Sequence, residues 1–474
     1  MRKRKMLFIG PLLFSNVASA GLTGSELVDL VNQNGFGFLN NSGFTLSGTF
    51  DGHAIPTLSY GSYEAIGDAL DNKSLGNWEQ SATANSPNFN SPNLGFTDLT
   101  LSVRGVPLEV KTVSGSNAIV MDTLGVHQTF DSGQTRSENL KAAYEYLKTN
   151  KSDFLDKLNV ALAGQSYNSA LAGNPTSLQS ISIAADGNIG ATSGNGRNGE
   201  NNRNNISTLS FNYTSYTIAN NNANVYTLPL GHTWNFDNGY GLIFDMPVTM
   251  VENHYFGSTT YSYNGSLGLG LRIPMSKLLY MQDTWELTPI LRGGAAGSTD
   301  LGEYGALWST GLTSHYGKAL WQDYRVDLRN TVSFYQTIPI KIKDDTIDAN
   351  INNVAFRNSI QFGSLFKEQW KILGNRTGGS VFFTDTHITG NALYIDNYQE
   401  VGFDIGVWSK PKPKAPHPSG QTDKTISEDI KQEIADLRSG KSDLWQSAKI
   451  GFTYVIIDKN SKDGGFNFNM GYSF

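Results

Sequence analysis

From residue 206 to the end of the chain, large apolar side chains recur at every second position. Leu267, Leu269, Leu271 and Ile273 mark one such run over 265–274, and Trp285, Leu287 and Leu291 another over 284–296. Tyr304, Ala306, Trp308, Leu312 and Tyr316 mark 303–316, and Tyr324, Val326, Leu328, Val332 and Phe334 mark 321–334, with the alternation running on through Ile338, Ile340 and Ile342. Ile360, Phe362 and Phe366 fall in 356–366; Val401, Phe403, Ile405 and Val407 in 399–408; Ala448, Ile450, Phe452, Tyr454 and Ile456 in 447–457. The last run, GFNFNMGYSF, puts Phe466, Phe468, Met470, Tyr472 and Phe474 on one face. A period of two is the signature of a strand with one apolar side. Adding 206–218, 380–389 and the pair 226–236 and 240–250, which Asp237-Asn238-Gly239 joins as a type I′ hairpin, gives about twelve strands of roughly 9–14 residues, the length of a tilted membrane-crossing strand.

These strands predict an all-β protein, a transmembrane antiparallel β-barrel of about 12–18 strands, with a small helical insertion near the N-terminus. A soluble β-sandwich also uses alternating strands. The strands here are longer, carry Trp or Tyr near their ends, and are joined alternately by short turns and longer polar loops, as in membrane barrels. If the last strand ends in the periplasm, parity puts 237–239, 275–283 and 317–320 on that side, together with the insertion 409–444. It puts 219–225, 252–263, 297–302, 343–353 and 390–398 outside.

The N-terminal part is less regular. Arg2 to Lys5, the apolar Met6–Phe14 and Ala18-Ser19-Ala20 read as a signal peptide over 1–20, with the mature chain starting at Gly21. In the region 21–205, Phe44, Leu46, Gly48 and Phe50 alternate, as do Leu99, Leu101 and Val103, and such strands are candidates to complete the barrel. Leu140, Ala143, Tyr144 and Leu147, then Leu155, Leu158 and Leu162, recur at helical spacing over about 137–163. Residues 193–205 have almost no apolar side chain and read as a linker into the regular region 206–474. Within that region, 409–444 begins with the basic, proline-rich Lys410–Pro418, which favours an extended chain, and continues into a short helix after Ser427. Its plain reading is a solvated tether; contacting peptidoglycan or plugging the barrel mouth is the alternative.

Composition sharpens the picture. With 11% aromatic residues, 50 glycines and a mean hydropathy of −0.32, the apolar side chains are interleaved instead of clustered, and no stretch after the leader reaches the roughly 18 apolar residues of a membrane helix. The absence of cysteine excludes disulfides, thiol chemistry and Cys-based zinc sites. A net charge of −6 does not fit a nucleic-acid partner.

If the large side chains face lipid, the intervening residues face the lumen, and they hold the charges. Asp323, Arg325, Asp327 and Arg329 share one face of a single strand; Arg272, Glu286, Arg292, Arg357, Asp404 and Lys449 occupy the same parity on others. Each Arg or Lys placed on the lipid face at the midplane would cost about 2–4 kcal/mol. These ten residues are the pore-lining candidates, and an internal salt-bridge network bracing a narrow barrel is the equally weighted alternative. Catalytic chemistry has little support: His232, His315 and His387 show no metal-ligand spacing, the neighbours in Asp385-Thr386-His387 point to opposite faces of a strand, and Asp344-Asp345 is an isolated loop pair. No cofactor fingerprint follows a strand; Gly265–Gly270 are strand residues.

The ending Tyr472-Ser473-Phe474, with Phe468 and Met470 on the same face, resembles the C-terminal signal by which outer-membrane barrels are recognised by their assembly machinery; Asn469 stands where that signal has glycine. With the leader and the Asn/Gly/Ser-rich loops, the layout is similar to the Helicobacter-type outer-membrane proteins, the Hof-like group. That resemblance implies an outer-membrane barrel in contact with lipid and the assembly machinery, and it transfers no catalytic residue. Two function classes follow: a porin-like channel for small hydrophilic solutes, or an adhesin or structural protein acting through its loops and N-terminal region on a host surface.

Overall fold

The computed structural model describes residues 44–473, except for 51–52, 61–96, 134–137, 190–204, 410–444, 458–462 and scattered single residues and pairs between 114 and 374. The leader, the linker up to Asn204, the 410–444 insertion, Asp323, Asp344 and Phe474 lie outside the described residues.

Twelve strands form the barrel: β7 (Ile206–Ile218), β8 (Asn221–Asn235), β9 (Gly241–Tyr255), β10 (Ser258–Pro274), β11 (Thr284–Ser298), β12 (Glu303–Trp321), β13 (Tyr324–Ile338), β16 (Asn352–Leu365), β18 (Asn375–Gly390), β19 (Asn397–Ser409), β20 (Trp445–Ile457) and β21 (Gly464–Ser473). Each pairs antiparallel with its sequence neighbour in this set, and β21 returns to β7 with Phe468 opposite Tyr213 and Tyr472 opposite Leu209. Closure leaves no unpaired edge, the condition for a sheet to stand in a bilayer. Short pieces decorate the connections: the four-residue helix α3 (Met275–Leu278) after β10, the hairpin β14 (Ile340–Ile342) and β15 (Asp345–Ile347), and β17 (Lys371–Ile372) beside β18.

The outer surface is a belt of exposed apolar side chains that includes Leu269, Leu291, Leu328, Ile360, Val381, Phe403, Ile450 and Met470. Their neighbours in sequence point inward and are buried, as Arg292, Asp327 and Asp404 show. This one-sided exposure is what a wall between lipid and lumen requires. It also explains where the strands outrun the apolar alternation. Strand β8 starts at Asn221 and β9 ends at Tyr255, because Asn222, Asn224 and His254 continue the ladder with cross-strand polar contacts: Thr217 Oγ1 donates to Asn222 Oδ1 at 3.2 Å and Tyr213 Oη to Asn224 Oδ1 at 3.0 Å. Much of the connections expected at 219–225 and 252–263 is therefore strand, with β8 starting at Asn221, β9 ending at Tyr255 and β10 starting at Ser258, and β12 runs through the turn expected at 317–320 to Trp321.

Both ends of the barrel sequence, Ile206 and Ser473, lie at one mouth, here termed lower, with the strand ends that flank 236–240, 275–283, 322–323, 366–374 and 410–444. At the opposite, upper mouth lie the strand ends that flank 219–220, 256–257, 299–302, 339–351, 391–396 and 458–463.

The early strands do not complete the barrel. β1 (Phe44–Phe50), β2 (His53–Tyr60), β3 (Thr97–Val103), β4 (Val106–Thr112), β5 (Ile119–Thr123) and β6 (Val126–Phe130) make a separate antiparallel sheet in the order β2-β1-β3-β4-β5-β6. None exceeds eight residues, below the about 9–11 that a crossing strand needs, and β7 is already paired on both sides. Arg104-Gly105 and Leu124-Gly125, all at positive φ, close β3–β4 and β5–β6 as two-residue turns. Helical residues from 138 lead into α1 (Lys151–Gln165), and a second helix, α2 (Leu178–Asn188), follows.

Candidate functional site

The centre of the barrel is occupied by the chain's own residues 166–189. This stretch, SYNSALAGNPTSLQSISIAADGNI, carries a single charge, Asp186, and is otherwise small or uncharged. Such residues suit a narrow space with polar walls, where bulk would clash and an unpaired charge would be costly. The segment satisfies much of its own backbone. Asn174 Nδ2 donates to the Ser169 carbonyl at 2.7 Å, Asn174 Oδ1 accepts from the Thr176 amide at 2.8 Å, and Ser177 caps α2 by accepting from the Ser180 amide.

At the upper mouth the segment is tied into the loops. The Tyr394 amide donates to the Ala163 carbonyl at 2.8 Å and the Ile395 amide to the Gly173 carbonyl at 2.9 Å. Leu171, Leu178 and Ile183 pack with Leu307, Ile351, Ala355 and Ile388 on one side of the mouth, and Tyr167 packs with Ile218, Tyr398, Val455 and Ile457 on the other. Gly173 has φ +94, and a Cβ there would sit 1.9 Å from the Ala163 carbonyl oxygen. Gly173→Ala is therefore expected to strain the turn by about 1–3 kcal/mol from the backbone alone, and more from the overlap. A lowered melting temperature of the refolded barrel and faster proteolysis of 166–177 check it.

Glu303, at the upper end of β12, binds this turn from below. Its carboxylate accepts from Ser169 Oγ at 2.6 Å, from the Ala170 amide at 3.0 Å and from Arg104 Nη1 at 2.7 Å. Arg104 belongs to the tight β3–β4 turn and also donates from Nε to Asn168 Oδ1 at 3.0 Å. One fully buried ion pair thus joins the N-terminal sheet, the plug segment and the barrel wall.

Deeper in the lumen, α2 leans against the wall formed by β9–β13 and β16. Arg292 Nε donates to Asp186 Oδ1 at 2.7 Å, Arg292 Nη2 to Asp245 at 2.6 Å and Arg292 Nη1 to Ser266 Oγ at 3.0 Å. Tyr335 Oη donates to Asp186 Oδ2 at 2.6 Å, and Thr313 Oγ1 to the Asp186 carbonyl at 3.0 Å. Gly268 makes room for the guanidinium, since a Cβ there would meet Arg292 Nη2 at 2.6 Å. Below it, Ile189 packs on Ile243, near the lower end of β9, and on Ile290, in the middle of β11. The chain therefore enters at the upper mouth and descends toward the lower one, where β7 begins.

The sequence candidates fall into two groups around this plug. Arg292 holds it by hydrogen bonds, and Arg357 packs against it at Gly187, where a Cβ would meet Arg357 Cδ at 2.7 Å. The others lie on the inner face lower down or on the facing wall. Arg272 Nε is 3.7 Å from Glu286; His315 Nε2 lies 2.8 Å from Asp327, whose Oδ1 also meets Arg325 Nη2 at 2.7 Å. Arg357 pairs with Glu400 and donates to Thr386 Oγ1 at 2.8 Å; Asp404 accepts from Ser380 Oγ at 2.7 Å; Arg329 and Lys449 share the inward parity. Phe468 is half-buried, and Met470 and Tyr472 face outward on the closing strand. Asp385 and His387 take the outward parity while Thr386 points in. The sequence reading missed Asp186, Arg104, Glu303, Asp245 and Glu400; a lone acid in an otherwise uncharged stretch, and an arginine in a tight turn before glycine, were the signals available.

A cleft of about 610 Å³ lies where the N-terminal domain meets the upper loops, between Pro107, Leu124, α1 and 348–350. Burial pushes the Asp156 carboxyl there upward from its ordinary pKa, while the Asp348 amide, which donates to it, opposes the shift. Among the described residues no group of His, Asp and Glu is arranged to hold a metal ion.

No known family profile matches the chain, and no curated protein is similar to it. Among solved structures it is similar to the β domain of the Bordetella autotransporter BrkA, at 12% identity and a TM-score of 0.37 over 57% of this chain and 98% of that one. An outer-membrane channel from Pseudomonas putida F1 gives 13% identity and a TM-score of 0.31 over 57% and 95%, and the KdgM porin 8% and 0.28 over 56% and 99%. At this distance the likeness assigns no activity.

Proposed function

We propose that this protein is a self-plugged barrel of the bacterial outer membrane that holds its N-terminal domain at the cell surface. The observation that carries the reading is the path of the chain: β1–β6 and α1 meet the upper mouth, residues 166–189 descend through the lumen, and β7 starts at the lower mouth. With the lower mouth periplasmic, the domain stands outside. Asp396→Cys at the upper mouth should then react with a membrane-impermeant maleimide on intact cells, and Asn238→Cys at the lower mouth only after permeabilisation. The reverse labelling would invert the topology and place the domain in the periplasm.

A second reading, a porin-like channel for small hydrophilic solutes that opens when the plug moves, is favoured by the charges below it. Arg325, Asp327, Arg329 and Lys449 line the inner face beyond what Asp186 and Glu303 use to seat the segment. Planar-bilayer recording separates the two: the presentation reading expects an electrically silent wild type, and a steady ionic current through the wild type would favour the channel.

A further inference from the structure

The two mouths treat their apolar loop residues in opposite ways. At the upper mouth Leu301, Ile351, Tyr394 and Ile395 are all buried, folded in against the plug or the loop bases. At the lower mouth two of the described connections leave theirs exposed. Leu278, Leu279, Tyr280 and Met281 are consecutive and exposed, Tyr280 to 95%, and across the barrel wall Trp370 is 62% exposed beside Ile372. These are built turns. Tyr280 sits at φ +53 between a Leu279 amide bonded to the Met275 carbonyl and a Met281 amide bonded to the Ser276 carbonyl at 2.8 Å. Trp370 is held by its amide on the Lys367 carbonyl, by Thr377 Oγ1 on its own carbonyl at 2.6 Å, and by edge contact with Phe366.

A run of four exposed apolar residues is unfavourable in water, whereas Tyr, Trp and Leu beside lysine suit the boundary between acyl chains and headgroups. Lys277 precedes the first run, and Lys367 and Lys371 flank the second, all exposed. Both turns continue the lipid-facing belt: Leu271 lies on the strand that leads into the first, and Phe362 on the strand that leads into the second. We infer that the 275–283 and 366–372 turns are interfacial anchors, dipping Leu278–Met281 and Trp370 into the phospholipid leaflet at the lower mouth while their lysines meet headgroup phosphates. They lie about a third of the circumference apart, four strands of the twelve, and so resist tilting of the barrel in more than one direction. The inference rests on the barrel being membrane-embedded.

The chain has no cysteine, so single labels report cleanly. Tyr280→Cys and Trp370→Cys are each tagged with a polarity-sensitive fluorophore on the full-length protein, refolded into vesicles of phosphatidylethanolamine and phosphatidylglycerol. Leu269→Cys, mid-belt, and Asn350→Cys, at the upper mouth, serve as references. Expected are blue-shifted emission at 280 and 370, quenching by lipids with a nitroxide near the headgroup, and protection from aqueous iodide, with Asn350 showing the opposite. Leu269 quenched by lipid while 280 and 370 are quenched by iodide would overturn the anchors and leave the membrane reading standing. Iodide quenching at Leu269 as well would overturn both.

Discussion

Asp186→Ala is expected to unlock the lumen: a barrel silent in planar bilayers becomes one that passes ions, with the outer ladder intact and heat-modifiable on gels. The substitution removes the acceptor of Arg292 Nε and Tyr335 Oη together, and leaves a fully buried arginine with Asp245 as its one remaining carboxylate. Breaking one side of a buried pair costs about 3–5 kcal/mol, a large share of what a single eleven-residue helix contributes by packing. The loss falls on the plug and not on the wall, because the twelve strands keep their backbone bonds whatever the helix does. Asp186→Asn keeps an acceptor for Tyr335 but no charge for Arg292, and its current should lie between wild type and alanine. If Asp186→Ala stays silent and melts with the wild type, α2 is held by the apolar seals at the upper mouth and the charge network is incidental.

What could be read from the sequence followed from the demand of lipid. Each wall residue faces hydrocarbon or lumen, so Leu267 to Ile273 or Phe466 to Tyr472 had to alternate, and twelve strands and an inward set of charges were legible. The plug was not. Its residues meet a wall that alternates apolar patches, such as Leu307, Ile351 and Ile388, with polar ones around Arg292 and Tyr335, so no single apolar period is imposed on Ser166–Ile189, and smallness is its main mark. The helical spacing that was legible, over 137–163, belongs to the part that sits at the mouth. Nor could spacing alone tell that strands of seven or eight residues such as Phe44–Phe50 and His53–Tyr60 pair outside the barrel. Parity singled out Arg292 but passed over Asp245, Glu303 and Glu400, and it showed no partner for any of them: Arg292 bonds a residue 106 positions away on the plug, and Arg104, in a turn that parity does not reach, one 199 positions away on the wall.

Arg104→Met should release the N-terminal sheet from the mouth while leaving the barrel folded and plugged. Arg104 comes from the β3–β4 turn, so its loss cuts the tie between sheet and wall and strands the Glu303 charge in a site where both partners are buried. Glu303 is still held by Ser169 Oγ and the Ala170 amide, which limits the damage to the docking. Glu303→Leu has the wider effect, since it removes the acceptor for Arg104 and for the plug turn at once, and should both undock the sheet and destabilise the plug. The double variant discriminates. If the pair contributes through charge complementarity, Arg104→Met with Glu303→Leu puts two apolar side chains in contact and costs less than the sum of the single changes, because neither buried charge is then left alone. The measurement is the rate at which a protease frees the β1–β6 fragment, read beside the melting temperature of the remaining barrel. Single variants that shed the fragment no faster than wild type would mean that the cleft face along α1, and not the ion pair, holds the domain on the barrel.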